Sequence, residues 1–216
     1  MSLFAPHAHP SGADGYALSV LLWFVMMVAM MLPALMPWLR MFGTMAGDAY
    51  PGRRSAAVVA QFSAGYFAIW LGYSAAAAAM QGGLQHLALL RLDLSVGATL
   101  GGLLLIGAGL FQLTPLKEAC LAHCRSPLSF FLTRWDGGPR GPFKMGARHG
   151  AWCVSCCWAL MVLSFVLGVM NLLWMAVLTA MIVAEQRAPR RWRLGRGFGV
   201  VFLVWGVALI GTSRLL

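Results

Sequence analysis

Ala151 to Ala184 reads AWCVSCCWALMVLSFVLGVMNLLWMAVLTAMIVA, an apolar run without a single charged residue. As one helix it would be about 51 Å long at about 1.5 Å per residue, against about 30 Å of hydrocarbon in a bilayer. Gly168 and Asn171, residues that favour turns, stand near its middle. The reading is therefore two short spans, 151–168 and 170–185, joined by a tight hairpin. Four further runs, 18–39, 56–80, 94–114 and 197–213, reach or approach the length of about 20 residues that a crossing needs. The expectation is an all-α, polytopic transmembrane helical bundle of six spans, forming a single transmembrane domain over residues 1–216.

The basic residues orient this bundle. Arg40, Arg53 and Arg54 fall in the first loop. Lys117, Arg125, Arg134, Arg140, Lys144 and Arg148 fall in the third, and Arg187, Arg190, Arg191, Arg193 and Arg196 in the fifth, so fourteen of the sixteen Lys and Arg residues lie on one side. Only Arg91 and Arg214 lie opposite. By the positive-inside rule those three loops are cytoplasmic and both termini face outward. A five-span chain would put the arginine-rich stretch from Arg187 on the far side from the others, so charge supports the split of 151–184 independently.

Composition excludes the soluble alternatives. Of 216 residues, 60% are hydrophobic and 10% charged, more apolar surface than one soluble domain of this size hides. The net charge of +10 sits in loops flanking apolar runs, not along one face, which points to anionic membrane lipid as the partner and not to nucleic acid. No basic segment precedes the first apolar run near Ala17, so no cleaved signal peptide is expected. Gly97, Gly101 and the run Ala75–Ala79 offer small residues for close helix packing. Trp38, Trp152 and Trp192 are expected at the membrane interface.

All five cysteines flank one segment, the cytoplasmic loop 115–150. Its start, PLKEACLAHCRSP over 115–127, places Cys120 and Cys124 one turn apart if the segment is a short helix between its prolines. The following span opens CVSCCWALM over 153–161, where Cys153, Cys157 and Met161 share a face and Cys156 lies three residues past Cys153. At a helix N-terminus the dipole would favour the thiolates that metal binding needs. On the reducing side of the membrane disulfides do not persist, and thiolate beside thioether selects Cu(I), with Zn(II) as the alternative. His123 is the residue able to complete a tetrahedral Cys/His zinc set. The candidate ligands are Cys120, Cys124, Cys153, Cys156, Cys157, Met161 and His123. Any one buried cysteine reads as core; five on the two sides of one loop read as a site.

The first span carries MMVAMMLPALMP over 26–37, with two methionine pairs four residues apart before Pro33 and Pro37. Thioethers there are gap fillers in an apolar helix, or a relay for Cu(I). Within the spans Gln61, Gln112 and Asn171 are the polar residues, with Glu185 at a cytoplasmic end, which disfavours an ion pump built on buried carboxylates. His7 and His9 form a His-x-His near the outer terminus, read as a solvated tail.

These motifs resemble the DUF2182 family of bacterial integral membrane proteins, described as metal-binding and sometimes as copper chaperones. The resemblance rests on Met26–Pro33, Pro115–Pro127 and Gly150–Met161, with Ser155 where the family pattern has glycine. It implies metal binding in a bacterial inner membrane. The function expected is membrane-embedded binding and handling, by delivery or transport, of a soft metal ion through the cysteine cluster. The alternative is an accessory or assembly subunit of a larger membrane complex, in contact with other membrane proteins or with a second copy. An enzyme with a cysteine nucleophile would need His123 or His149 as base, and no acidic residue is placed to orient either.

Overall fold

The computed structural model describes residues 13–90, 96–168 and 171–213. His7, His9, Arg91 and Arg214 lie outside them. The apolar runs become helices α1 (Ala13–Ala49), α2 (Ser55–His86), α3 (Ala98–Leu113), α6 (Gly141–Val162), α8 (Leu172–Arg187) and α9 (Leu194–Ser213). Between α3 and α6 lie α4 (Pro115–Cys124) and α5 (Pro127–Arg134), and a short α7 (Ser164–Leu167) follows α6. Among the described residues, four stretches are long and apolar enough to cross a membrane: Ala13–Gly47, Ser55–His86, Gly141–Leu167 and Leu194–Thr212. α3 and α4 meet that test together, bent by 70° at their junction. α8, with 16 residues, covers about 24 Å.

The break inside 151–184 falls where the turn residues stand. α6 ends at Val162, Gly168 takes a φ of 89° open to glycine, and the Asn171 side chain accepts from the backbone N–H groups of Leu173 and Trp174 to start α8. The segment 115–150 is not a loop. It holds α4, α5 and the first turns of α6, which begins twelve residues before Cys153. Gly141–Gly150 carries Lys144 and Arg148, so hydropathy marks only the apolar part of a longer helix. α1 likewise runs through both prolines as one helix. Pro37 has no N–H for the Pro33 carbonyl, and the Arg187 guanidinium donates to that oxygen instead, at 3.0 Å.

Glycines set which helices touch. α2 and α6 run parallel with backbones in contact. A Cβ at Gly146 would fall on the Phe62 carbonyl oxygen, one at Gly65 on that of Phe143, and one at Gly150 would stand 2.9 Å from the oxygen of Tyr66. α3 and α9 run antiparallel, with a Gly102 Cβ 2.8 Å from the Gly206 oxygen and a Gly109 Cβ 2.8 Å from that of Gly199. Of the glycines expected at such contacts, Gly97 faces open space, while Gly101 is buried against side chains, a Cβ there lying 3.3 Å from Val166 and 3.5 Å from Leu209 of α9. Of the three tryptophans expected at the interface, Trp38 is buried in the core and Trp192 is exposed.

Gly146→Ala is expected to lower the thermal midpoint in detergent, by overpacking that costs about 1–3 kcal/mol or more. Gly72→Ala, where a Cβ meets nothing within 4 Å, should leave it unchanged or slightly higher. Equal midpoints for the two variants would disprove the contact.

Candidate metal centre

α4 is placed by its ends. The Thr114 side chain caps it by accepting from Lys117 N at 3.2 Å, Pro115 opens it, and Pro127 starts the next helix three residues after its last. Lys117, Cys120, Leu121 and Cys124 form its buried face, which lies on α6. Both thiols expected on one side of a short helix are there.

Across from it, α6 presents Cys153, Cys156 and Cys157, all buried. Cys124 Sγ lies 3.7 Å from Cys156 Sγ, and the sulfurs of Cys124, Cys153 and Cys156 are all within 4.8 Å of one another. Three thiolates on one ion at about 2.3 Å stand about 4 Å apart, so this trio fits a soft cation with little motion. None of the five cysteines is in a disulfide.

The other expected ligands are placed differently. Cys120 lies one turn before Cys124 on the same buried face. Cys157 donates to the Cys153 carbonyl at 2.8 Å. Met161 is fully buried but about 12 Å past Cys153 along the helix, too far to share one ion with it. His123 is exposed, bonded through Nδ1 to the Ala119 oxygen at 2.9 Å and stacked on Trp152 at 4.1 Å. The structure does not bring it to the sulfurs.

A helix N-terminus does not serve Cys153 either, because that residue is three turns inside α6, beyond the reach of the terminal dipole. Direct side-chain contacts stand in its place. The Tyr66 hydroxyl lies 3.2 Å from Cys153 Sγ, and the Gln186 amide donates to the same sulfur at 3.7 Å. The α2–α6 glycine contact brings Tyr66 this close. One turn before Cys153, His149 is buried with its ring 3.5 Å from that of Trp38 and 5.2 Å from that of Tyr66.

The sequence reading left out a second group beside the trio. Lys117 Nζ donates to the Cys156 carbonyl at 2.5 Å and to Glu185 Oε2 at 2.7 Å, with both charged residues buried. Gln112 donates to Glu185 Oε1 at 2.9 Å, and Arg125 Nε to the Glu185 backbone oxygen at 2.8 Å. A signal was available: Lys117 precedes Cys120 and Cys124 at helical spacing, and Glu185 is a carboxylate at the end of an otherwise apolar run.

A family described as PpoB2, copper chaperone, matches residues 20–209. The chain belongs to this family. Membership in the PpoB2 family is a copper-related assignment, as the motifs suggested, though under this description and not as DUF2182. The matched segment takes in α1 through most of α9 and every cysteine. No curated protein and no solved structure matches the chain. The family description and the trio together support binding of copper or another soft metal.

Lys117→Met leaves the Glu185 carboxylate buried without its partner and is expected to cost about 3–5 kcal/mol in denaturant unfolding in detergent. Lys117→Met with Glu185→Leu should recover most of that loss. A double variant no more stable than the single one would show that the pair is not the cause.

Proposed function

We propose that this protein crosses the bacterial inner membrane six times with both termini outside, and that it takes up Cu(I) as cargo at its cytoplasmic side and hands it on. The observation that carries the reading is the trio Cys124, Cys153 and Cys156, three buried sulfurs within 4.8 Å in a chain of a copper-chaperone family. Thiolate sets of this kind select soft ions. Structural zinc sites close a fourth position, and the histidine available for it, His123, points away. An all-thiolate trio shared by two helices favours Cu(I) and an ion that can leave. The chain then works by binding and release, not by turnover, with membrane lipid around it.

Each neighbouring residue has a part in this. Binding requires the thiols to give up their protons, and three thiolates around one Cu(I) leave a net double negative charge in an apolar setting. The Lys117 ammonium, held against the Cys156 carbonyl, supplies positive charge beside them. Tyr66 and Gln186 fix Cys153. A surface cavity of about 300 Å³, lined by Ala122, Arg125, Ser126, Gln186, Arg187 and Ala188, opens beside Gln186. It gives an ion, or the cysteines of a delivery partner, a short route to the trio.

Anaerobic titration of the purified protein with Cu(I) against a chromogenic chelator tests the reading. Replacing Cys124, Cys153 and Cys156 by Ser should weaken the tight equivalent by more than about 100-fold, beyond the 10–100-fold typical of losing an outer-shell partner. Unchanged affinity in that variant would overturn it.

A further inference from the structure

One contact joins α1 to α6 directly, and two more relate their heights through α8 and α7. Trp38 stacks on His149, with ring centroids 3.5 Å apart. Arg187 donates to the Pro33 carbonyl while its neighbour Gln186 donates to Cys153 Sγ. Trp23 meets the ring of Phe165, just past α6, at 5.2 Å. As the residue number climbs from 23 through 33 to 38 along α1, it falls from 165 through 153 to 149 along α6 and α7. The two helices are antiparallel and in step.

At about 1.5 Å per residue that step brings Met31 and Met30 level with Cys156 and Cys157, and Met27 level with Leu160 and Met161, to within about a turn. Direction agrees with height. At about 100° per residue, the line midway between Trp23 and Trp38 passes within about 10° of Met27 and about 50° of Met30 and Met31, while Met26 is about 90° away. Met27, Met31 and Met161 are 0% exposed and Met30 3%. By height and direction these buried thioethers lie on the side of the trio away from the arginine-rich end, as does Cys157, the thiol of α6 outside the trio.

Methionine fills gaps in many apolar helices. Here the buried methionines of α1 stand at the height of the cysteines, in a region where a bare cation has little else to replace its water. Thioethers without charge bind Cu(I) and offer little to harder ions. We propose that Met27, Met30 and Met31, together with Cys157 and Met161, form a second, membrane-embedded Cu(I) station that receives the ion from the trio. This rests on the trio binding Cu(I). Passage is ligand exchange: bonds from copper to the trio's thiolates break, bonds to thioether sulfur form, copper stays Cu(I), and each freed thiolate takes a proton from water at the arginine-rich end.

X-ray absorption of the selenomethionine-labelled full chain in detergent, loaded anaerobically with one and then two equivalents of Cu(I), tests the station directly. The first equivalent is expected to show copper–sulfur scattering alone, and the second to add copper–selenium scattering. In Met27→Leu/Met30→Leu/Met31→Leu, a volume-conserving change, the selenium signal and the second equivalent should disappear while the affinity of the first stays within about twofold. Full replacement of methionine by norleucine, which exchanges sulfur for a methylene, should do the same without altering shape. Two tight equivalents with no copper–selenium scattering, or a selenium signal that survives in the Leu variant, would overturn the station and leave the trio standing. Failure of the wild type to bind a first equivalent, or a first equivalent indifferent to the loss of the trio, would instead overturn the trio and the station with it.

Discussion

An ammonium group carried into a packed helical interior has to be paired, and Lys117 is paired on both sides. Its bonds to Glu185 on α8 and to the Cys156 carbonyl on α6 lock α4 against two other helices at once. Either partner alone would leave charge or polarity exposed to an apolar medium, at a cost of several kcal/mol. The position of α4 therefore depends on this group, and the position of Cys124 depends on α4.

The second constraint is steric. Gly65, Gly146 and Gly150 let α2 and α6 approach until backbone meets backbone, and that approach sets the Tyr66 hydroxyl beside Cys153. Trp38, Phe62, Phe131 and His149 fill the space at the arginine-rich end, where α1 outruns the apolar part of its sequence. The buried Cys153 sulfur is thus held between the Tyr66 hydroxyl and the Gln186 amide.

Much of this was legible in the sequence because it is written in local chemistry. Gly168 and Asn171 announce the break between α6 and α8, the prolines at 115 and 127 bracket α4, and the cysteine spacings put thiols on single faces. What stayed hidden depends on partners. Hydropathy ends at Gly150 because Lys144 and Arg148 interrupt it, yet the helix continues to Gly141, so the site sits deep in α6 and the helix-terminus account of Cys153 fails. Gly97 and Gly102 look alike in sequence, and only the approach of α9 makes the second one matter. His123 follows the right spacing for a ligand, but a flat aromatic neighbour, Trp152, takes its ring.

The prolines of α1 tie these parts together. Pro37 strips the Pro33 carbonyl of its helical donor, and an orphan carbonyl in an apolar bundle needs another. Arg187 provides it from the end of α8, two residues past the Glu185 that anchors Lys117 and one past the Gln186 that touches Cys153. Three consecutive residues of α8 thus hold, in turn, the helix bearing Cys124, the sulfur of Cys153 and the helix bearing the methionines. A defect that would destabilise an isolated helix is used here to fix the height of α1 against α8, the helix that also touches Cys153 and holds Lys117.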